Sequence, residues 1–189
     1  FGEVFTPIEL INEMLDKLPS SVWKDPTLTW LDPANGIGNF PMVVYKRLMD
    51  KLPESYDKDH VKYSSPMGKS NHILKHMLYM CEINSKNVKI SKQIFGPNAN
   101  ICCCDFLNEE VKWRKQFGRD KFDIIIGNPP WNDSKTGKQE GSRAKNSLWD
   151  KFIFASLELL NKNGFIGFIN PAQWRGLGPE YHKVWDAFK

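Results

Sequence analysis

The sequence has no apolar run approaching the ~18 residues that a membrane-spanning helix needs, so a helical membrane span is not expected. Nothing at its start reads as a signal peptide, and Phe1 in place of Met is the start expected of a piece of a longer protein. Its four cysteines have no paired spacing, which points to a reducing compartment rather than a disulfide scaffold. Internal repeats and low-complexity tracts are missing as well. What is present is ordinary for one globular domain. A chain of 189 residues can bury roughly 70% of its unfolded surface. With 41% hydrophobic and 25% charged residues it is neither disordered nor collagen-like. The net charge of +4 permits a polyanionic partner without requiring one. A soluble, intracellular domain in the cytoplasm is expected.

Short apolar runs alternate with amphipathic stretches, the pattern of a parallel sheet covered by helices. Thr6, Pro7 and Glu9 read as a helix start, with Thr6 as N-cap, Pro7 as first helical residue and Glu9 completing a capping box. Ile8, Ile11, Leu15 and Leu18 follow at helical spacing, and Pro19 closes the segment. Strands are expected over residues 28–31, 78–82, 100–104, 122–126 and 164–169, with helices over 40–52 and 148–160 and a short helical lead-in over 72–77. Residues 53–69, rich in Pro, Ser, Gly, Lys and Asp, read as a surface insertion. Residues 132–147 hold no large apolar side chain and read as a mobile loop, and 180–189 as the start of another helix. The fold class is α/β, a doubly wound, mainly parallel sheet with helices on both faces.

An open parallel sheet places its ligands just past the carboxyl ends of its strands, and chemistry-bearing segments stand at those places. The first runs Asp32-Pro33-Ala34-Asn35-Gly36-Ile37-Gly38-Asn39-Phe40, where two glycines around a strand-to-helix turn let the backbone approach a ligand. Next comes Glu82-Ile83, an acid able to accept hydrogen bonds from both hydroxyls of a ribose. The third is Asp105-Phe106, an acceptor for an exocyclic amino group beside a ring able to pack on a purine. The full Gly-x-Gly-x-x-Gly pattern does not occur, because residues 42–48 contain no glycine, which speaks against a pyrophosphate-bearing dinucleotide.

The segment Asn128-Pro129-Pro130-Trp131 carries the most. Two prolines directly after a buried strand end its ladder and fix the backbone. They hold the Asn128 amide and the Pro129 carbonyl beside the indole of Trp131, an arrangement suited to a planar substrate bearing an amino group. The two acceptors take the amino hydrogens while the indole stacks on the ring.

With these segments in this order, the sequence resembles the catalytic domain of S-adenosylmethionine-dependent DNA adenine methyltransferases of the amino-methylating, restriction-modification type. The resemblance runs from Gly2 to about Trp174. It implies that Phe5-Thr6-Pro7 folds over the methionine end of the cofactor. Asp32 to Phe40, Glu82-Ile83, Asp105-Phe106 and Asn128 would bind the cofactor, and Asn128 to Trp131 would form the catalytic motif. Val4 and Trp131 would line the target-base side. The partner implied is double-stranded DNA, engaged by the intact protein, with restriction or specificity subunits or domains alongside. Three departures stand out. Trp131 occupies a place where Tyr or Phe is commoner, the stretch between Lys51 and Met77 is long, and the sequence stops after the fifth strand. The closing antiparallel hairpin and the target-recognition domain of the family are thus expected to be missing.

The implied mechanism is direct displacement on an adenine flipped out of the duplex. A cytosine carbon-5 enzyme would need a cysteine following proline, and none of the twelve prolines precedes a cysteine. Four alternatives share the motif chemistry: protein glutamine methylation, RNA guanine amino methylation, cytosine amino methylation, and a non-catalytic cofactor-binding subunit. The Phe5-Thr6-Pro7 segment favours DNA, and cytosine enzymes usually carry Ser at position 128. Lys135, Lys138, Arg143 and Lys145 either meet phosphates or, with Asp133 and Glu140 among them, belong to a solvated loop. No metal site is read. Cys102, Cys103 and Cys104 alternate across a strand and cannot converge on one ion, and His72 and His76 read as surface histidines. Lys46, Arg47 and Lys51 read as covering a helix face.

Overall fold

Short apolar runs become the central strands, buried on both faces as a parallel sheet requires. In the computed structural model, which describes residues 5–132, 147–172, 184 and 186, five strands form one sheet. They are β1 (Trp30–Asp32), β4 (Leu78–Glu82), β5 (Asn100–Cys103), β6 (Phe122–Gly127) and β7 (Leu160–Phe168), all paired in parallel in the order β5-β4-β1-β6-β7. A separate antiparallel hairpin joins β2 (Tyr56–Lys58) to β3 (Val61–Tyr63). The helices are α1 (Ile8–Leu15), α2 (Asn39–Lys51), α3 (Pro66–His72), α4 (Ser85–Phe95), α5 (Glu110–Phe117) and α6 (Trp149–Leu159).

Strand alternation sorts the core into two layers. Trp30, Leu78, Met80, Ile101 and Ile124 cluster with Val44 and Leu48 of α2 and with Val88 and Phe95 of α4. Leu31, Tyr79, Cys81, Cys102 and Ile125 cluster instead with Trp113 and Phe117 of α5 and Phe152 of α6. Each large side chain buried this way contributes roughly 1.5–3 kcal/mol, so both helical layers are held by the same strands. From β1 the chain winds outward to β4 and β5 on one side, then returns to β6 and β7 on the other. The carboxyl ends of β1 and β6 therefore flank the topological switch point, where such sheets bind ligands.

Tertiary partners moved several expected boundaries. Thr6 does not cap α1: Pro7 is the N-cap residue and no side chain caps the helix. The helix stops at Leu15, and Ser20–Trp23 form a 3-10 turn. The first strand begins at Trp30 rather than residue 28, because Thr29 is bonded through its N–H and hydroxyl to Asp123 Oδ2, both at 2.8 Å. Residues 53–69 are not a loose insertion. They supply the hairpin and the start of α3, and buried Lys69 donates to the carbonyls of Met49 (2.7 Å) and Leu52 (3.2 Å) at the end of α2. His72 is buried rather than superficial, its Nε2 2.7 Å from the Pro26 carbonyl. Arg47 joins helices instead of merely covering one, pairing with Asp16 at 2.7 Å and lying over the Trp23 ring. The last strand starts at Leu160, with a register shift against Phe122 and Ile124 before pairing resumes at Phe165. Val4, the basic residues between 135 and 145 and most of the expected loop 132–147 lie outside the described residues. Among the described residues no helix is long and apolar enough to cross a membrane.

Candidate active site

The site is built at the end of β1. Asp32, the last residue of that strand, is 3% exposed and accepts a 3.0 Å hydrogen bond from the Ala34 N–H. The turn continues with Asn35 N–H donating to the Cys81 carbonyl at 2.9 Å, which ties it to β4. Gly36 (φ +58°) and Gly38 (φ +101°) take left-handed conformations that side chains rarely tolerate. At Gly38 a Cβ would also stand 2.7 Å from the Phe95 ring, so glycine there lets α2 pack against α4. The Asn35 side chain donates to Ser91 Oγ at 2.8 Å and to the Gly36 carbonyl at 3.0 Å, while its Oδ1 is buried without a partner.

Glu82 ends β4 at 7% exposure, its Oε2 accepting from the Gly36 N–H and its Oε1 from the Asn84 N–H, both at 2.7 Å. Beside it Ile83 is 60% exposed, an apolar face turned outward at the carboxyl edge. Burial pushes the Asp32 carboxyl up from 3.8 to about 8, with the Glu82 charge adding to the rise and the Ala34 N–H opposing it. The folded value lies above the unfolded one. Its stabilising contribution is therefore complete below about pH 4 and is lost as pH rises through about 8. Urea unfolding between pH 5 and 8.5 is expected to show stability falling with pH, and Asp32→Asn is expected to flatten that slope. An unchanged slope in the variant would mean Asp32 is ionised throughout.

Asp105 follows β5 and bonds its own turn, accepting from the Leu107 N–H at 3.1 Å and from Asn108 Nδ2 at 2.9 Å. Phe106 departs from the expectation of a ring packed on a purine. It is 4% exposed and stacked against Trp113 and Phe152 within the core, and its carbonyl accepts from Trp113 Nε1. Core packing has taken this ring. On the strand before it, Cys102 and Cys104 share a face with Cys81, whereas Cys103 packs against the opposite layer.

At the end of β6, Gly127 adjoins Asp32 closely: a Cβ there would meet Asp32 Oδ1 at 2.7 Å. Asn128 comes next, its Nδ2 donating to Thr6 Oγ1 at 3.1 Å. Pro129 is buried, Pro130 exposed and Trp131 44% exposed. The indole N–H donates to the Ile169 carbonyl at 3.1 Å, and the Trp131 carbonyl accepts from Leu148 N–H at 2.9 Å. These bonds fix the plane of the exposed ring between the ends of β6 and β7.

One cavity gathers much of this. Phe5, Thr6, Ala34, Asn35, Gly36, Phe40 and Asn128 all line it, joined by Ile37 and Asn39. Of the other residues expected to bind the cofactor, Pro7, Asp32, Pro33, Gly38, Glu82, Ile83, Asp105 and Phe106 do not line it. Three participants are not singled out from the sequence: Ser91, Gly127 and Ile169. Only Gly127, a glycine between a buried strand and a proline pair, leaves a signal in the sequence.

The model of the Eco57I restriction-modification methylase family matches residues 68–187. The chain is 27% identical over 237 residues to an uncharacterized adenine-specific methylase of Mycoplasma pneumoniae, covering 91% of this chain and 55% of that protein. It is 29% identical over 182 residues to the type II methyltransferase M.VspI of a Vibrio species, covering 89% of this chain and 36% of that protein. It thus spans about half the length of the first relative and about a third of the second. Among solved structures, the modification subunit of a putative type I restriction enzyme from Vibrio vulnificus is similar with a TM-score of 0.67 at 15% identity, over 98% of this chain and 38% of that one. That likeness concerns the fold.

Proposed function

Because this chain belongs to the Eco57I restriction-modification methylase family, we propose that it is the catalytic domain of a DNA methyltransferase that acts on the 6-amino group of adenine. The observation that carries the reading is the shared cavity: Asn128 of the Asn-Pro-Pro-Trp segment lines the same space as the glycine turn after β1.

The residues present fit S-adenosylmethionine. The unpartnered Asn35 Oδ1 and the cavity wall of Phe5, Thr6 and Phe40 suit its amino-acid end. The Glu82 carboxylate and exposed Ile83 suit a ribose and the face of a purine. When bound, this cofactor supplies an activated methyl group on a sulfonium. Asp105 would then accept from the adenine amino group of the cofactor.

The chain's own residues prepare the nucleophile. The lone pair of an adenine amino group is delocalised into the ring, so it attacks poorly. Asn128 Oδ1 and the Pro129 carbonyl would accept its two hydrogens, favour a more tetrahedral nitrogen and stabilise the positive charge that develops there. Trp131, locked by the Ile169 carbonyl, offers the stacking face. Rate enhancement then comes from positioning and electrostatics, with no covalent enzyme intermediate.

In the complete protein, double-stranded DNA is the substrate, and sequence choice falls to a recognition domain or specificity partner. A restriction-modification role in the cytoplasm follows from the same reading. The test uses the complete protein, unmethylated duplex DNA and S-adenosylmethionine, with nucleosides quantified by mass spectrometry. N6-methyladenine is the expected product. Methylated cytosine would change the base, and cofactor binding without any DNA product would overturn the assignment.

A further inference from the structure

Thr6 precedes Pro7 at the start of α1, where a threonine hydroxyl ordinarily caps the helix. Here it does not: α1 has no side-chain cap, and the hydroxyl instead accepts a 3.1 Å bond from Asn128 Nδ2, 122 residues away. A local preference given up for a distant contact is the kind of conflict expected at a functional site. Thr6 points inward at 6% exposure while Phe5 before it is 52% exposed. Its backbone is also held, its carbonyl accepting from Asn39 Nδ2 at 3.3 Å at the start of α2. One residue therefore touches both the start of α2 and the side chain of Asn128.

We propose that Thr6 is a positioning residue whose hydroxyl holds the Asn128 amide with its Oδ1 free for the substrate amino group. The inference rests on the reading of Asn128 given above. An amide has a donor end and an acceptor end of nearly equal shape. Only the acceptor end suits an amino group, which has hydrogens to give. With Nδ2 engaged by Thr6, Oδ1 is the end left for the substrate. Without that partner the amide turns about its last bond, and its NH₂ group opposes another donor.

Thr6→Val keeps the shape and removes the hydroxyl, Thr6→Ser keeps the hydroxyl, and Thr6→Ala serves as a smaller second deletion. In the complete protein with DNA, Val and Ala are expected to lower kcat about tenfold, roughly the worth of one lost hydrogen bond. The thermal unfolding midpoint should fall only slightly, and Ser should restore most of kcat. Asn128→Ala runs beside them. If that variant keeps full activity, the reading of Asn128 falls and this proposal with it. If it is inactive while Thr6→Val matches the parent, or if the valine variant raises KM with kcat intact, the positioning role alone is overturned.

Discussion

Asn128→Ala is expected to lower methyl transfer by a factor on the order of 10² to 10³, the usual loss when one preorganised polar group facing a developing charge is removed. Oδ1 is the side-chain acceptor offered to the amino group, and the Pro129 carbonyl alone would remain. Cofactor affinity should change far less, because the turn after β1 and Glu82 stay in place. A kcat that falls while the dissociation constant for S-adenosylmethionine holds separates loss of chemistry from loss of binding. A fall in kcat with an equal rise in the dissociation constant would assign Asn128 to the cofactor instead. Truncation also frees the Thr6 hydroxyl, so a small drop in stability accompanies the kinetic effect.

Gly127→Ala is the substitution with the largest expected structural effect. A Cβ at this position would lie 2.7 Å from Asp32 Oδ1 and 3.3 Å from its Cγ. Asp32 cannot swing into solvent, being 3% exposed and bonded to Ala34 N–H. The φ of +156° adds strain for any side chain. Forcing a methyl group into such a packed place costs about 1–3 kcal/mol, read as a lower urea midpoint at unchanged slope. The displacement falls on the carboxyl ends of both β1 and β6, so S-adenosylmethionine binding should weaken as well. A variant as stable as the parent would show that Asp32 and the end of β6 are further apart than this geometry places them.

The thiols show how far alternation alone carries. Adjacent residues on a strand face opposite ways, and Cys102 and Cys104 indeed lie on one layer with Cys103 on the other. Their partner Cys81 comes from the neighbouring strand in register. No spacing within either segment announces that pairing, because register is a property of two strands together.

The sequence by itself determined the order of the five sheet strands, the helical segments that became α1, α2 and α6, and the places where strands end in glycine, acid or proline. Period and backbone sterics are local, and they act wherever the residues are. The tertiary structure alone decided which of those ends meet. It took Thr6 from its helix to Asn128, put Gly127 against Asp32, stacked Phe106 into the core and tied Lys69 beneath α2. Each of these contacts joins residues from different elements. Each outweighs a local preference because a buried polar group must find a partner, and a buried ring must fill its space, wherever the fold supplies them.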